Sequence, residues 1–279
     1  MHIKHRYGIP YAFYTEKLRQ KADRIHEIEA ATPSAYLNQQ FRVYYQPKHD
    51  STTGRLIGAE ALVRWIHPRL GTLLPIEFIP ILEQTGFVTH VDAFVWQRTC
   101  TNLRRWQDQG LQIVPISVNF SRMDLSDSSL RHCLTEAARH CHISPSNLYM
   151  EVTESIFSED IEPVIDTLSY FREQGHLIEL DDFGIGYSSL TALSELPIDS
   201  LKMDMSFVRQ LNMPRKQKVF AACVGLAKNM GLRITAEGIE SAEQLETVRR
   251  LGVDCVQGYY FSKPLPEDEF EAYLRSCKA

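Results

Sequence analysis

From Phe41 onward, short apolar runs alternate with longer amphipathic stretches, and this alternation restricts the chain to architectures built on a parallel sheet. The short runs are FRVYYQ (41–46), LIGAEAL (56–62), IVPISVN (113–119), LYMEVT (148–153), LIELDD (177–182), SLKMD (200–204), RITAEG (233–238) and DCVQG (254–258). Between most of them lie helix-patterned segments at 89–109, 125–140, 160–174, 215–230 and 241–251. Eight strand candidates in a chain of this length predict an α/β fold, a closed (β/α)₈ TIM-like barrel. A doubly wound open sheet is the alternative, but it rarely needs eight strands. The connection KHDSTTGR (48–55) is too short for a helix. The first two strands are therefore expected to form an antiparallel hairpin, giving a barrel with an antiparallel first strand.

Ahead of the barrel, residues 15 to about 33 are charged and helix-favouring, with Leu18, Ala22, Ile25 and Ile28 at helical spacing. Pro33 is expected to end that helix. The domain division predicted is residues 1–35 as an N-terminal helix or linker and 36–279 as the barrel. The formal charge of −5 and pI near 6.1 exclude an electrostatic binder of nucleic-acid polymers, which needs a basic balance. The six cysteines are scattered with no CxxC pair, as expected for reduced thiols in the cytoplasm. Met1 to Tyr14 lacks the apolar core of a signal peptide, and no apolar run approaches the ~20 residues that span a bilayer. No membrane contact is expected of this segment.

Function is read from where polar residues interrupt the apolar runs. Near the C-terminal end of each run sits a group able to bind a metal or a phosphate: Gln46, Glu60, Asn119, Glu151, Asp181 with Asp182, Lys202, Glu237 and Gln257. One buried carboxylate can be a satisfied core group, but the repetition calls for compensating cations. In this fold active sites gather where strands end. Glu60, Asn119, Glu151, Asp181, Asp182 and Glu237 offer hard oxygen donors without Cys or His, which selects Mg²⁺ or Mn²⁺. Five carboxylates exceed the needs of one divalent ion, and two ions bridged by one Asp fit phosphoryl hydrolysis. Of the adjacent Asp181 and Asp182, only one is expected to point straight into the barrel. Lys202 is the lone strand-end cation, placed to orient or activate water. Arg64 is expected on the loop past Glu60, where it would hold a phosphate.

At these residues the chain resembles the EAL family. EALVRW (Glu60 to Trp65) looks like its signature. YYQP (44–47), SVNFS (117–121), MEVTES (150–155), DDFGIGYSSL (181–190), LKMD (201–204), AEGIES (236–241) and QGYYFSKPLP (257–266) resemble further blocks in order, over about residues 36 to 275. The resemblance implies hydrolysis of cyclic di-GMP to linear 5′-pGpG, a need for two Mg²⁺ or Mn²⁺ ions per active site, and inhibition by Ca²⁺. Carried over residue by residue, Glu60, Asn119, Glu151 and Asp181 resemble the ligands of one ion, and Asp181, Asp182 and Glu237 those of the second. Glu60, Lys202, Glu237 and Gln257 resemble the catalytic group, with Lys202 beside the nucleophilic water. Gln46, Leu62, Arg64 and Asp204 resemble substrate contacts. Glu154 matches the residue bracing the loop that begins at Asp181.

Two positions depart from the family pattern. Ile185 stands where Thr is usual, and Met205 where Arg or Gly is common. Ile185 removes a hydroxyl that could tether the loop, so an effector that binds cyclic di-GMP without cutting it stays as the alternative. Tyr11 to Glu29 resembles the segment leaving a GGDEF domain in GGDEF–EAL tandem proteins, the other reading being a native N-terminal helix. The family likeness also implies a homodimer, and a full-length parent that is cytoplasmic or membrane-anchored.

Overall fold

The computed structural model describes residues 16–126, 131–154, 161–184 and 190–277. In chain order the elements are α1 (Glu16–Leu37), β1 (Phe41–Asp50), β2 (Leu56–His67), β3 (Gly71–Leu73), α2 (Pro75–Thr85), α3 (Val88–Asp108), β4 (Ile116–Phe120), α4 (Arg122–Ser126) and α5 (Arg131–His140). Then follow β5 (Leu148–Thr153), α6 (Glu162–Glu173), β6 (Leu177–Phe183), α7 (Leu190–Glu195), β7 (Ser200–Met203), α8 (Met205–Arg209), α9 (Pro214–Asn229), β8 (Arg233–Ala236), α10 (Ala242–Leu251), β9 (Cys255–Gln257), β10 (Leu265–Pro266) and α11 (Glu267–Ser276).

Eight strands close a ring in the order β1-β9-β8-β7-β6-β5-β4-β2, and β2 pairs back onto β1. As the short 48–55 connection predicts, β1 is antiparallel to both neighbours, while β2 and β4 through β9 run parallel. The closed ring is the expected barrel, and the open sheet is excluded. Short β3 and β10 add to the outer ends of β2 and β1.

Side-chain alternation builds two cores. On β5, Leu148, Met150 and Val152 are fully buried against the helices, while Glu151 between them faces the barrel axis. Aromatic rings fill the helix–barrel layer: Trp96 stacks on Phe120 at 4.3 Å, and Tyr45 packs between Trp106 and Phe270. Burial of these large rings adds to the driving force for closing the barrel.

Three local expectations are corrected. First, Pro33 does not end α1, which runs on to Leu37. Ile28 and Ala35 are buried against the barrel, and that packing offsets the hydrogen bond Pro33 cannot donate. The stop comes from Gln39, in the left-handed region at φ 53°, with Gln40 N–H reaching back to Ala35 O. Second, α2 and α11 were not expected. Pro75 reads as a breaker in sequence, yet it sits in the first turn of α2, where its fixed φ favours the helix. Third, the run at 113–119 joins the sheet only from Ile116. Among the described residues no helix is long and apolar enough to cross a membrane.

Candidate active site

The polar residues meet at one end of the barrel, held by strand register. Gln46 lies opposite Glu60, Asn119 beside Glu151, and Lys202 beside Thr235, two residues before Glu237. Gln46 and Glu60, expected at strand ends, are instead both mid-strand. Gln46 reaches this end because antiparallel β1 runs downward through it, and Lys48 lies one step further toward the opposite end. Arg64 also lies within β2 and not on a loop, on the same strand face as Glu60 and Leu62. Its guanidinium sits over the Tyr44 ring at 5.6 Å and donates to Val63 O at 2.8 Å.

Lys202, fully buried, lies among the acids. Its Nζ hydrogen-bonds Glu151 Oε1 and Glu60 Oε2 (3.4 Å), and lies 3.1 Å from Asp181 Oδ1 and 2.8 Å from Glu237 Oε1. Burial opposes its charge, but Asp181, Glu151, Glu237 and Glu60 together hold the ammonium well above the ordinary lysine range. An ammonium has three N–H donors, so four carboxylates cannot all be satisfied by it. Glu151 Oε2 and Asp181 Oδ1 are buried and make no hydrogen bond.

The excess of acid appears as displaced proton affinities. Burial pushes Glu237 up to about 8, with Lys202 pulling the other way. Glu151 is raised well above a normal carboxyl by burial and by Glu60. Asp182 rises to about 6 through burial and the adjoining Asp181 charge. Carboxylate oxygens of Glu60, Glu151 and Glu237 lie within 4.8 Å of one another. Hard carboxylate oxygens in surplus over the one ammonium could hold a metal ion.

The adjacent aspartates both line the mouth, a cavity of about 350 Å³ that also includes Gln46, Leu62, Asp204 and Gln257. Strand alternation alone would send Asp182 to the outer face. Instead β6 shifts register between Leu180 and Phe183, and Asp182 adopts a left-handed φ of 58°, turning both carboxylates inward. Such a conformation in a non-glycine residue costs on the order of 1–3 kcal/mol and needs surrounding structure to impose it. Two residues on, Gly184 has φ 97°, and a Cβ there would stand 2.0 Å from the Phe207 ring. Its N–H donates to Glu154 Oε2 at 3.0 Å, so the proposed brace touches the loop where its described part ends. Ile185 and Ser188 lie outside the described residues.

Gln257 Nε2 donates to Glu60 Oε2 (2.6 Å) and Gln46 Oε1 (3.2 Å), linking three expected site residues. Asp204 caps α8 by accepting from Ser206 N at 2.8 Å. Met205, one of the two departures from the family pattern, also lines the mouth, as do Arg209, Glu240 and the exposed Tyr259, which sequence reasoning missed. They follow the strands by two to six residues, and α8, the loop after β8 and the loop after β9 bring them round.

The profile of the EAL domain family matches residues 29–264. The chain belongs to the EAL domain family. A Pseudomonas aeruginosa protein named cyclic di-GMP phosphodiesterase PA2567 is 36% identical over 270 residues, covering 96% of this chain and 46% of its own length. The Escherichia coli oxygen sensor protein DosP is 32% identical over 276 residues, 99% of this chain and 34% of its own. This EAL chain thus spans between a third and a half of those two relatives. The solved PaMucR phosphodiesterase in complex with c-di-GMP superposes with a TM-score of 0.83 at 33% identity, covering 88% of this chain and 99% of that one. In this EAL domain the DDFG segment carries the inward pair Asp181 and Asp182, and the EAL glutamate itself, Glu60, is tied to Lys202 and Gln257.

Proposed function

We propose that this domain hydrolyses cyclic di-GMP to linear 5′-pGpG, aided by two Mg²⁺ or Mn²⁺ ions. The observation carrying the proposal is the gathering of Glu60, Glu151, Asp181 and Glu237 around one ammonium at the barrel mouth. The likeness to relatives named cyclic di-GMP phosphodiesterases and to a c-di-GMP complex supports it. Glu60, Asn119, Glu151 and Asp181 would hold one ion, and Asp181, Asp182 and Glu237 the other. Bound there, such ions neutralise phosphate charge and make water nucleophilic at neutral pH.

In the reaction, water oxygen attacks one phosphorus, the P–O3′ bond breaks, and the water's protons end on the 3′-oxygen leaving group and the surrounding base. Lys202, set among these carboxylates, is placed to orient or activate the attacking water. Gln257 fixes Glu60 from the side, and Gln46 extends that line toward the substrate. Leu62 and Asp204 on the cavity wall, with Arg64 nearby, are assigned to the nucleotide. Glu154 keeps the start of the 181–189 segment seated.

We assign residues 1–35 to the tail of a preceding GGDEF domain, with 36–279 as the catalytic unit, acting as a homodimer in the cytoplasm. The chain's limited share of its relatives' lengths supports a longer parent protein. Incubation with cyclic di-GMP and Mn²⁺, followed by product chromatography, tests the assignment. pGpG is expected. Tight binding without pGpG would replace the enzyme by a cyclic di-GMP effector.

A further inference from the structure

Beneath the carboxylates lies a second buried polar layer. Lys48 of β1, Ser117 of β4 and Glu179 of β6 are each at least nine-tenths buried inside the barrel. Lys48 Nζ donates to Ser117 Oγ at 2.7 Å and to Glu179 Oε2 at 2.5 Å, and Ser117 Oγ in turn donates to Glu179. Gly58 lies alongside the lysine stem, where a Cβ would stand in ordinary contact with Lys48 Cβ at 3.7 Å and closer, 3.3 Å, to Pro115 O.

This layer touches the metal ligands at one point. Glu151 Oε1 is engaged by Lys202 from the mouth side, while its Oε2 lies 3.8 Å from Lys48 Nζ on the lower side. Glu151 is completely buried, and Oε2 has no hydrogen bond. Glu151 is thus set between two ammonium groups, one per oxygen. We propose that Lys48 is a positioning residue for the metal centre: by facing Glu151 Oε2 from below, it keeps Oε1 turned toward the mouth.

The proposal rests on the metal-dependent reading of the site. A buried pair can serve structure alone, and Lys48 with Glu179 would then be exchangeable for apolar side chains of similar volume without effect on the mouth. A partner that orients a ligating carboxylate is not exchangeable in that way; its loss typically lowers metal affinity about 10–100-fold. Glu179 is the counter-ion of Lys48 and stands beside Glu151 in the β5–β6 register, but its side chain bonds Lys48 and Ser117 and not a ligand carboxylate.

The test compares Mn²⁺ binding by titration calorimetry without nucleotide, alongside thermal melting, in wild type, Lys48→Met/Glu179→Met and Glu179→Gln. The double variant removes both charges, so no lone ion is left buried. It is expected to melt cooperatively and to bind Mn²⁺ about tenfold more weakly or worse. Glu179→Gln keeps Lys48 and is expected to stay within about threefold of wild type. A double variant with wild-type Mn²⁺ affinity overturns the proposal. So does a tenfold loss in Glu179→Gln, which assigns the effect to the pair's packing; if the first double variant does not fold, Lys48→Gln/Glu179→Gln, which also removes both charges, is read against the same tenfold criterion. Wild type that binds no Mn²⁺ would instead refute the metal reading of the site.

Discussion

Stripping divalent cations and raising the pH should destabilise this domain, and the site geometry sets the sign and rough size. Three site carboxyls are held above their ordinary range: Glu237 at about 8, Asp182 at about 6 and Glu151 well above normal. A carboxyl whose folded pKa exceeds its unfolded value contributes stability at low pH, and that contribution is lost as pH rises through the folded pKa. The loss should therefore begin above the ordinary carboxyl range, near pH 4–5, and run up to about pH 8 as Glu237 ionises. Lys202 and Lys48 are raised above the ordinary lysine range and stay charged throughout this window. Asp181 and Glu179 are lowered despite burial, through Lys202 and Lys48 respectively, so they stay ionised in the same window. At 1.36 kcal/mol per pK unit, the rise of Glu237 from the ordinary 4.5 to about 8 corresponds to on the order of 5 kcal/mol, or roughly 10 °C in Tm for a chain of this size. Thermal melts in EDTA from pH 5 to 9 measure it. The metal-free Tm should fall with pH, Mn²⁺ should restore it most at the alkaline end, and Glu237→Gln should flatten the metal-free slope. A metal-free Tm that is level or rises between pH 5.5 and 8.5 would refute the argument that the mouth carries uncompensated acid.

Glu60→Ala and Asp181→Ala are each expected to abolish pGpG formation while the circular dichroism spectrum stays native, because removing a buried acid from a surplus relieves repulsion; wild-type turnover in either would sink their assignment as ligands. Lys202→Ala should lower kcat far more than affinity for cyclic di-GMP, read by calorimetry in Ca²⁺; equal losses would make Lys202 a phosphate clamp. Glu154→Ala removes the carboxylate accepting from Gly184 N, a charge-assisted bond of about 1.5–3 kcal/mol, and should raise the Mg²⁺ needed for half-maximal rate about tenfold or more. Ile185→Thr should shift that requirement modestly the other way, and a Glu154→Ala enzyme matching wild type at limiting Mg²⁺ would uncouple the loop from the metals.

The closed barrel and its antiparallel first strand were legible because both follow from spacing: run length, alternation with helices, and a connection too short for a crossover. Helix ends were less so. Pro33 inside α1 and Pro75 at the start of α2 show why: proline forbids one hydrogen bond, and whether that matters depends on position and on packing that a linear reading does not contain. The inward turn of Asp182 was equally hidden, since it depends on a register shift between β6 and β7.

The lower charged layer was within reach of the sequence and was overlooked for an identifiable reason. Strand side chains alternate, so the residue two before each inward-facing ligand faces inward as well. For Asn119 that residue is Ser117 and for Asp181 it is Glu179. On β1 the rule runs the other way, because the antiparallel strand descends as its numbering climbs. The lower partner of Gln46 is therefore Lys48 and not Tyr44, whose ring lies under Arg64 near the mouth. Attending only to strand ends finds the residues that face a substrate. Carrying the period of two one step down each strand, with β1 inverted, finds the ammonium beneath Glu151, where an isolated carboxylate would otherwise lie deep in the barrel without a cation on its lower side.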